Sequence, residues 1–251
     1  MAAGPPAVTP PPAGGYPSPN HGDRRGRRVE LVVIHATNMA DAAAARARLC
    51  DPATEVSAHW LIREDGAVEP LVCESRRAWH AGAGAWRGED DVNSRSIGIE
   101  LANPLDRPFP EPQMAALESL LAAILARHGL GPEAVIAHSD MAPGRKDDPG
   151  RRFDWARLAR QGLALAPRGR GDGRTPLGPS LDALGYPEAE PAARLGAFRL
   201  RFRPWAEGPE AAEDRAVAEA VVRGLESALA RGETSPRRLA CEPGLRPQGG
   251  A

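Results

Sequence analysis

Two histidines, His35 and His138, each close a short apolar run, "VELVVIH" and "AVIAH", and Asp148 follows the second in a loop rich in turn formers, "SDMAPGRKDDPGRR". Runs of this length and β-branched content read as buried strands. A strand end holds its side chain rigidly, and a loop can bring a further donor against it. Two imidazoles and one carboxylate make a catalytic zinc site of three protein ligands, with the fourth position left for water. Taken singly, a strand-terminal histidine is more often a hydrogen-bonded structural residue than a ligand. The trio is what points to a metal.

A carboxylate and an ammonium accompany the trio. In "SIGIELA", which begins at Ser96, Ile97, Ile99 and Leu101 alternate with Gly98, Glu100 and Ala102, which places Glu100 opposite the apolar face of a strand. There it is either a solvated acid on an open face or a base aimed into a site, and Gly98 beside it leaves space for another group to approach closely. Of the 32 basic residues, 31 are Arg and a single one, Lys146, is Lys. It stands two positions before Asp148, so a compact ammonium would lie near the metal and could stabilise the oxyanion of a tetrahedral intermediate. Competing chemistries lack their motifs. There is no Gly-x-Ser-x-Gly elbow, no phosphate-binding Gly-x-x-x-x-Gly-Lys-Ser/Thr loop and no His-Glu-x-x-His helix, and "GAGAWR" from Gly82 lacks the third glycine of a dinucleotide fingerprint.

The elements that would position these residues follow from periodicity and turn chemistry. The strand Val29 to His35 leads to a helix running from its N-cap Asp41 to Leu49. "SAHWLIREDGAVEPLV" is a hairpin turning at Asp65-Gly66. The strongest helix starts near Glu111, with Pro112 in its first turn. Leu117, Leu120, Leu121, Ile124, Leu125 and His128 share its face, and Gly129 stops it. "AVIAH", from Ala134 to His138, is another strand, and a further helix opens at Asp154. Strands alternating with helices predict an α/β domain with a mixed central sheet flanked by helices. Past the Gly-rich "APRGRGDGRT", Leu195, Phe198 and Phe202 fall on one helical face and Val217, Val221, Leu225 and Leu229 on another; with "SLDALGY" they make a small all-α module. The expected organisation is a disordered tail over 1–15, a catalytic domain over 16–165, a linker over 166–175, the helical module over 176–232 and a loose tail over 233–251.

Composition narrows the rest. Gly (27) and Pro (26) exceed their usual share, an excess that belongs in tails and linkers. With 32 basic and 33 acidic residues, no global field recruits nucleic acid or anionic lipid. Cys50, Cys73 and Cys241 are odd in number and far apart, the pattern of unpaired thiols in a reducing compartment. No apolar run approaches the roughly 20 residues of a membrane helix, and the N-terminal stretch has neither the basic nor the apolar region of a signal peptide. The expected location is cytoplasmic, or periplasmic if a misassigned start codon removed a leader.

Several stretches match a known family: "VELVVIHAT", "VSAHWLIREDG", "AWHAG", "NSRSIGIELAN" and above all "AHSDMAPGRKDDPGRRFDW". From about Tyr16 to Leu163 the chain resembles the zinc-dependent N-acetylmuramoyl-L-alanine amidases of the AmpD type, which share the peptidoglycan-recognition-protein fold. The resemblance implies Zn2+ as cofactor, His35, His138 and Asp148 as its ligands, and Glu100 and Lys146 as the catalytic pair. The substrate it implies is peptidoglycan or an anhydro-muropeptide. The amide between the lactyl group of muramic acid and L-alanine would be hydrolysed by zinc-activated water, with Glu100 moving the proton. "LGYPEAEPAARLGAFRLRFRPW" is similar to a helical peptidoglycan-binding module in which a Gly-Tyr and an Ala-Phe-x-x-x-Phe-Arg-Pro stretch recur. A helical cap that only packs on the catalytic domain is the other reading of that module.

The sequence departs from the family at Ala36, where many members carry an aromatic residue. By the resemblance His80 lies in the groove wall and touches substrate, or is a buried structural histidine. Asn103 and Arg145 adjoin the catalytic positions, Arg145 being able to pair with a stem-peptide carboxylate. Thr37 and Asn38 line the groove or serve as turn residues. The rival function is a recognition module that holds muropeptides without cutting them. Such relatives usually lack part of the ligand set, whereas all five residues are present here.

Overall fold

Leu31, Val32, Val33 and Ile34 form an unbroken apolar run, and every one of them is buried. In the computed structural model, which describes residues 16–230, this run is the centre of a sheet. The tails expected over 1–15 and 233–251 lie outside the described residues. The strands are β1 (His21–Gly22), β2 (Leu31–Ala36), β3 (Trp60–Ile62), β4 (Val68–Pro70), β5 (Arg77–Ala78), β6 (Ser96–Leu101) and β7 (Val135–Ala137). The helices are α1 (Ala42–Cys50), α2 (Val92–Arg95), α3 (Glu111–His128), α4 (His138–Met141), α5 (Trp155–Arg160), α6 (Leu177–Leu184), α7 (Pro191–Phe202) and α8 (Ala212–Ala230).

The main sheet has the order β4-β3-β6-β2-β7. Three of its four pairings are parallel, β3 with β6, β6 with β2 and β2 with β7, and β4 closes one edge antiparallel to β3. This is the mixed sheet that alternation of strands and helices predicts. The hairpin turns where expected: Gly66 has φ +86°, a conformation open to glycine, and its N–H donates to the Arg63 carbonyl at 3.0 Å. The helix α3 begins at Glu111 and ends against Gly129 in the left-handed region, its buried side including Leu117, Leu121 and Ile124.

Parallel strands need cover on both faces. One face, with Val32, Ile34, Ile97 and Ile99, packs on α3 and α5. The other, with Leu31, Val33 and Ile136, packs on Leu181, Leu184, Phe198, Val221 and Leu225 of α6, α7 and α8. The C-terminal helices thus share a core with the sheet. The segment 166–175, expected from its composition to be a linker, runs along α8. Glu219 accepts the N–H groups of Asp172, Gly173 and Thr175 at 2.8, 3.2 and 2.8 Å, and Arg168 N–H donates to the Ala220 carbonyl at 2.7 Å. Leu229, counted from its spacing with the buried face of α8, is 53% exposed, whereas its neighbour Ala228 is buried. Among the described residues no helix is long and apolar enough to cross a membrane.

Candidate active site

Register assembles the site. In the parallel β2–β6 pair His35 stands opposite Glu100, and in β2–β7 Ile34 stands opposite Ala137, so that His138, first residue of α4, follows beside His35. Three candidate residues therefore occupy the carboxyl ends of three adjacent strands, the edge at which open α/β sheets hold ligands. Asp148 arrives from the loop and is fixed there because the Ser139 N–H donates to its carbonyl at 3.1 Å.

The three donor atoms converge. His35 Nδ1 lies 2.9 Å from His138 Nδ1, and both lie 3.1 Å from Asp148 Oδ2. Points spaced in this way can all sit about 2 Å from a single centre, the distance of Zn–N and Zn–O bonds.

The hydrogen bonds behind the rings decide which nitrogens carry protons. His138 Nε2 faces the Ala81 carbonyl at 3.0 Å and must donate to it, which leaves Nδ1 a lone pair. The Ser96 hydroxyl donates to the Val92 carbonyl at 2.6 Å, so its oxygen accepts from His80 Nε2 at 3.1 Å. His80 Nδ1 is then an acceptor, and His35 Nε2 donates to it at 3.0 Å. His35 Nδ1 is consequently also a lone pair. Two imidazole lone pairs and a carboxylate oxygen face one another with no proton between them, an arrangement that repels itself and suits a cation. Burial, followed by the neighbouring His138, pushes His35 down to about 4, which keeps the ring neutral as a ligand requires.

Glu100 presents the opposite case. Its Oε2 is buried without a hydrogen-bond partner. Burial, reinforced by the charge of Asp148 and opposed by Lys146, raises the carboxyl to about 8. A carboxyl poised near neutrality and lacking donors suits proton transfer. Lys146 is half-buried on the same loop, its N–H bonded to the Ala142 carbonyl at 3.1 Å.

The remaining candidates fall into two groups. Thr37 and Asn38, just past the end of β2, are half-buried and exposed respectively; Asn38 has φ +50°, and its N–H donates to the Asn103 carbonyl at 3.0 Å. Arg145 is exposed, yet its Nη2 donates to the Ala81 carbonyl at 2.7 Å and also to that of Ala83, strapping the wall loop. Asn103, by contrast, is 1% exposed, and its Oδ1 accepts the Leu105 N–H at 2.7 Å within its own turn. His80 is buried between His35 and Ser96, held by Asn93, whose Oδ1 accepts the N–H groups of His80 and Ala81 at 3.0 and 2.8 Å.

The space that Gly98 leaves is filled by His80. A Cβ at that position would lie 2.6 Å from His80 Cδ2 and 2.7 Å from Nδ1. Gly98 and His80 each stand out in the sequence but their contact does not, and no sequence signal marks Ser96 or Asn93, whose roles depend on side chains distant in sequence.

Comparison with known proteins adds an independent observation. A family model for N-acetylmuramoyl-L-alanine amidases matches residues 25–151. The N-acetylmuramoyl-L-alanine amidase AmiD of Escherichia coli (strain K12) is 38% identical over 231 residues, 78% of this chain and 83% of that protein. The solved complex of E. coli AmiD with the substrate anhydro-N-acetylmuramic acid-L-Ala-D-γ-Glu-L-Lys is similar with a TM-score of 0.69 at 33% identity, covering 86% of this chain and 93% of that one. AmpDh3 of Pseudomonas aeruginosa in complex with anhydromuramic pentapeptide gives 0.70 at 30% identity, covering 79% and 91%.

Proposed function

Because the chain belongs to the N-acetylmuramoyl-L-alanine amidase family, we propose that the carboxyl edge of its sheet hydrolyses the amide between the lactyl group of muramic acid and L-alanine in peptidoglycan or its anhydro-muropeptide fragments. The observation that carries the site assignment is the convergence of His35 Nδ1, His138 Nδ1 and Asp148 Oδ2 at 2.9 to 3.1 Å, both imidazoles having their other nitrogen occupied as a donor. These three residues would hold zinc. When bound, zinc supplies a Lewis acid that acidifies water and polarises a carbonyl.

The residues of this chain do the rest. Glu100 takes the proton of the attacking water and delivers it to the nitrogen of the departing L-alanine, a task suited to a buried carboxyl whose Oε2 has no hydrogen-bond partner and whose affinity for a proton is raised by burial. The Lys146 ammonium faces the charge that grows on the lactyl carbonyl oxygen. Thr37, Asn38 and Arg145 border the groove, where the Arg145 nitrogens not bonded to Ala81 and Ala83 can meet a stem-peptide carboxylate. His80 and Asn103 shape the wall from inside, their polar atoms being committed to His35 and Ser96 and to the 103–105 turn respectively.

The deciding experiment incubates purified protein with an anhydro-muramyl tripeptide, with and without added zinc, and weighs the products. Release of a free peptide beginning with L-alanine is the expected result. Intact substrate recovered from the zinc-supplemented sample would overturn the reading.

A further inference from the structure

The Gly-Tyr and Ala-Phe-x-x-x-Phe-Arg-Pro stretches of the C-terminal module, the second with Arg201 at its last variable position, are the part of the sequence that the amide chemistry leaves unused. Their polar side chains point inward. Tyr186 and Arg201 are 5% and 6% exposed, and both reach Asp140, which is fully buried. The Tyr186 hydroxyl donates to Asp140 Oδ1 at 2.7 Å, and Arg201 Nη1 donates to Oδ2 at 2.7 Å. Arg201 is itself fixed, Nη2 donating to the Val135 carbonyl at 2.9 Å and the guanidinium lying 4.5 Å from the Trp155 ring centre.

Asp140 is the third residue of the single turn α4 that begins with His138. Its Oδ2 also accepts the Ala137 N–H at 2.9 Å, which locks the strand-to-turn corner. The next residue back, Ser139, holds the Asp148 carbonyl. One buried carboxylate thus braces the turn that presents one candidate ligand and steadies the other, and two of its three donors come from the C-terminal module, Tyr186 just past α6 and Arg201 in α7. A carboxylate so deeply buried cannot exchange those donors for water.

The geometry points to Tyr186 and Arg201 as positioning residues that act through Asp140 to hold His138 and Asp148 in ligand geometry, so that the C-terminal helices set the affinity of the site for its metal. This rests on the zinc reading above. Tyr186 of the Gly-Tyr pair and Arg201, which occupies a variable position of the Ala-Phe-x-x-x-Phe-Arg-Pro stretch, then form a clamp between the helices and the sheet, and a wall-binding surface would have to lie elsewhere on the module.

The test uses the full chain and reads zinc affinity by competition with a chromophoric chelator, at a temperature where circular dichroism reports each variant folded. Asp140→Asn and Arg201→Met are expected to weaken zinc binding about ten- to a hundredfold, the usual effect of removing support behind a ligand. Tyr186→Phe, which removes only a hydroxyl, is expected to weaken it about threefold, and decides the matter if Arg201→Met does not fold. The control is Arg199→Met, which breaks a buried pair with Asp214 inside the same helices, bonded at 3.0 and 2.6 Å, and touches nothing near Asp140. It should lower Tm and leave zinc affinity within twofold. Folded Arg201→Met and Tyr186→Phe proteins with unchanged affinity would overturn the clamp, as would an Arg199→Met loss as large as that of Arg201→Met. A wild-type chain that binds no zinc would overturn the metal reading beneath it, an outcome read in a separate arm.

Discussion

Glu100 and Glu74 stand at opposite edges of one sheet, both with carboxyls shielded from water, and they ionise in opposite directions. Glu74 lies where Arg24 ties its carbonyl to that of Ser96, the first residue of β6. Burial alone would raise its carboxyl, but hydrogen bonds from His128 and Arg127, at 2.7 to 3.0 Å, outweigh that and bring it to about 2. Trp60 Nε1 adds another donor at 2.9 Å. Glu100 is also raised by burial, then by the charge of Asp148, has no compensating hydrogen-bond donor, and rises to about 8. Burial is therefore not what separates a structural acid from a reactive one. The supply of donors is, and this chain gathers them around Glu74, away from the edge proposed to react.

The sharpest way to break the contrast is to remove each carboxyl in turn. Glu100→Gln should lower kcat by about a thousandfold, as expected for loss of a general base, while Tm stays level or rises, because the group removed had no partner. A kcat within tenfold of wild type would end the contrast on the reactive side. Glu74→Gln should do the reverse, costing about 3 kcal/mol in urea unfolding because Arg127 is left without its charge, with kcat intact wherever the variant is folded. A loss below about 0.5 kcal/mol would make Glu74 an ordinary surface acid.

Acid sharpens the same contrast. The folded value of Glu74, about 2, lies below the ordinary 4.5, so its stabilisation is complete above about pH 4.5 and is lost as pH falls toward 2. It amounts to roughly 3 kcal/mol at neutral pH. The gap between wild type and Glu74→Gln should accordingly narrow in urea titrations carried from pH 7 to pH 3, and a constant gap would assign the effect to packing. The smallest change, Gly98→Ala, drives a methyl group against His80. It should cost about ten- to a hundredfold in zinc affinity by displacing the ring that orients His35, and wild-type affinity would remove His80 from that role.

Much of this was legible in the chain. Apolar runs located β2 and β7, alternation placed Glu100 opposite the core face, and the helix from Glu111 to Gly129 followed from spacing and its stop residue. Bringing His35 and His138 together needed only the register of parallel neighbours, while Asp148 is brought to them by its loop. What could not be read was partnership across distance. His128 fits the apolar spacing of α3 yet turns to Glu74, a residue 54 positions earlier. Segment 166–175 has the composition of a free spacer but is held by Glu219, whose acceptors lie in α8. Tyr186 and Arg201 read as ordinary module residues until the fold brought them to Asp140. Periodicity encodes which face is buried, and it is silent about what that face meets.

The cover of the second sheet face has a consequence for biosynthesis. Leu31 and Val33 leave the ribosome early, but the residues that shield them, Val221 and Leu225, come nearly 200 positions later. At 5 to 20 residues per second, the stretch from 165 to 230 takes roughly 3 to 13 s to emerge. During that interval one face of the sheet is without its cover, and transiently exposed apolar surface of this kind is what makes an incomplete domain prone to aggregate.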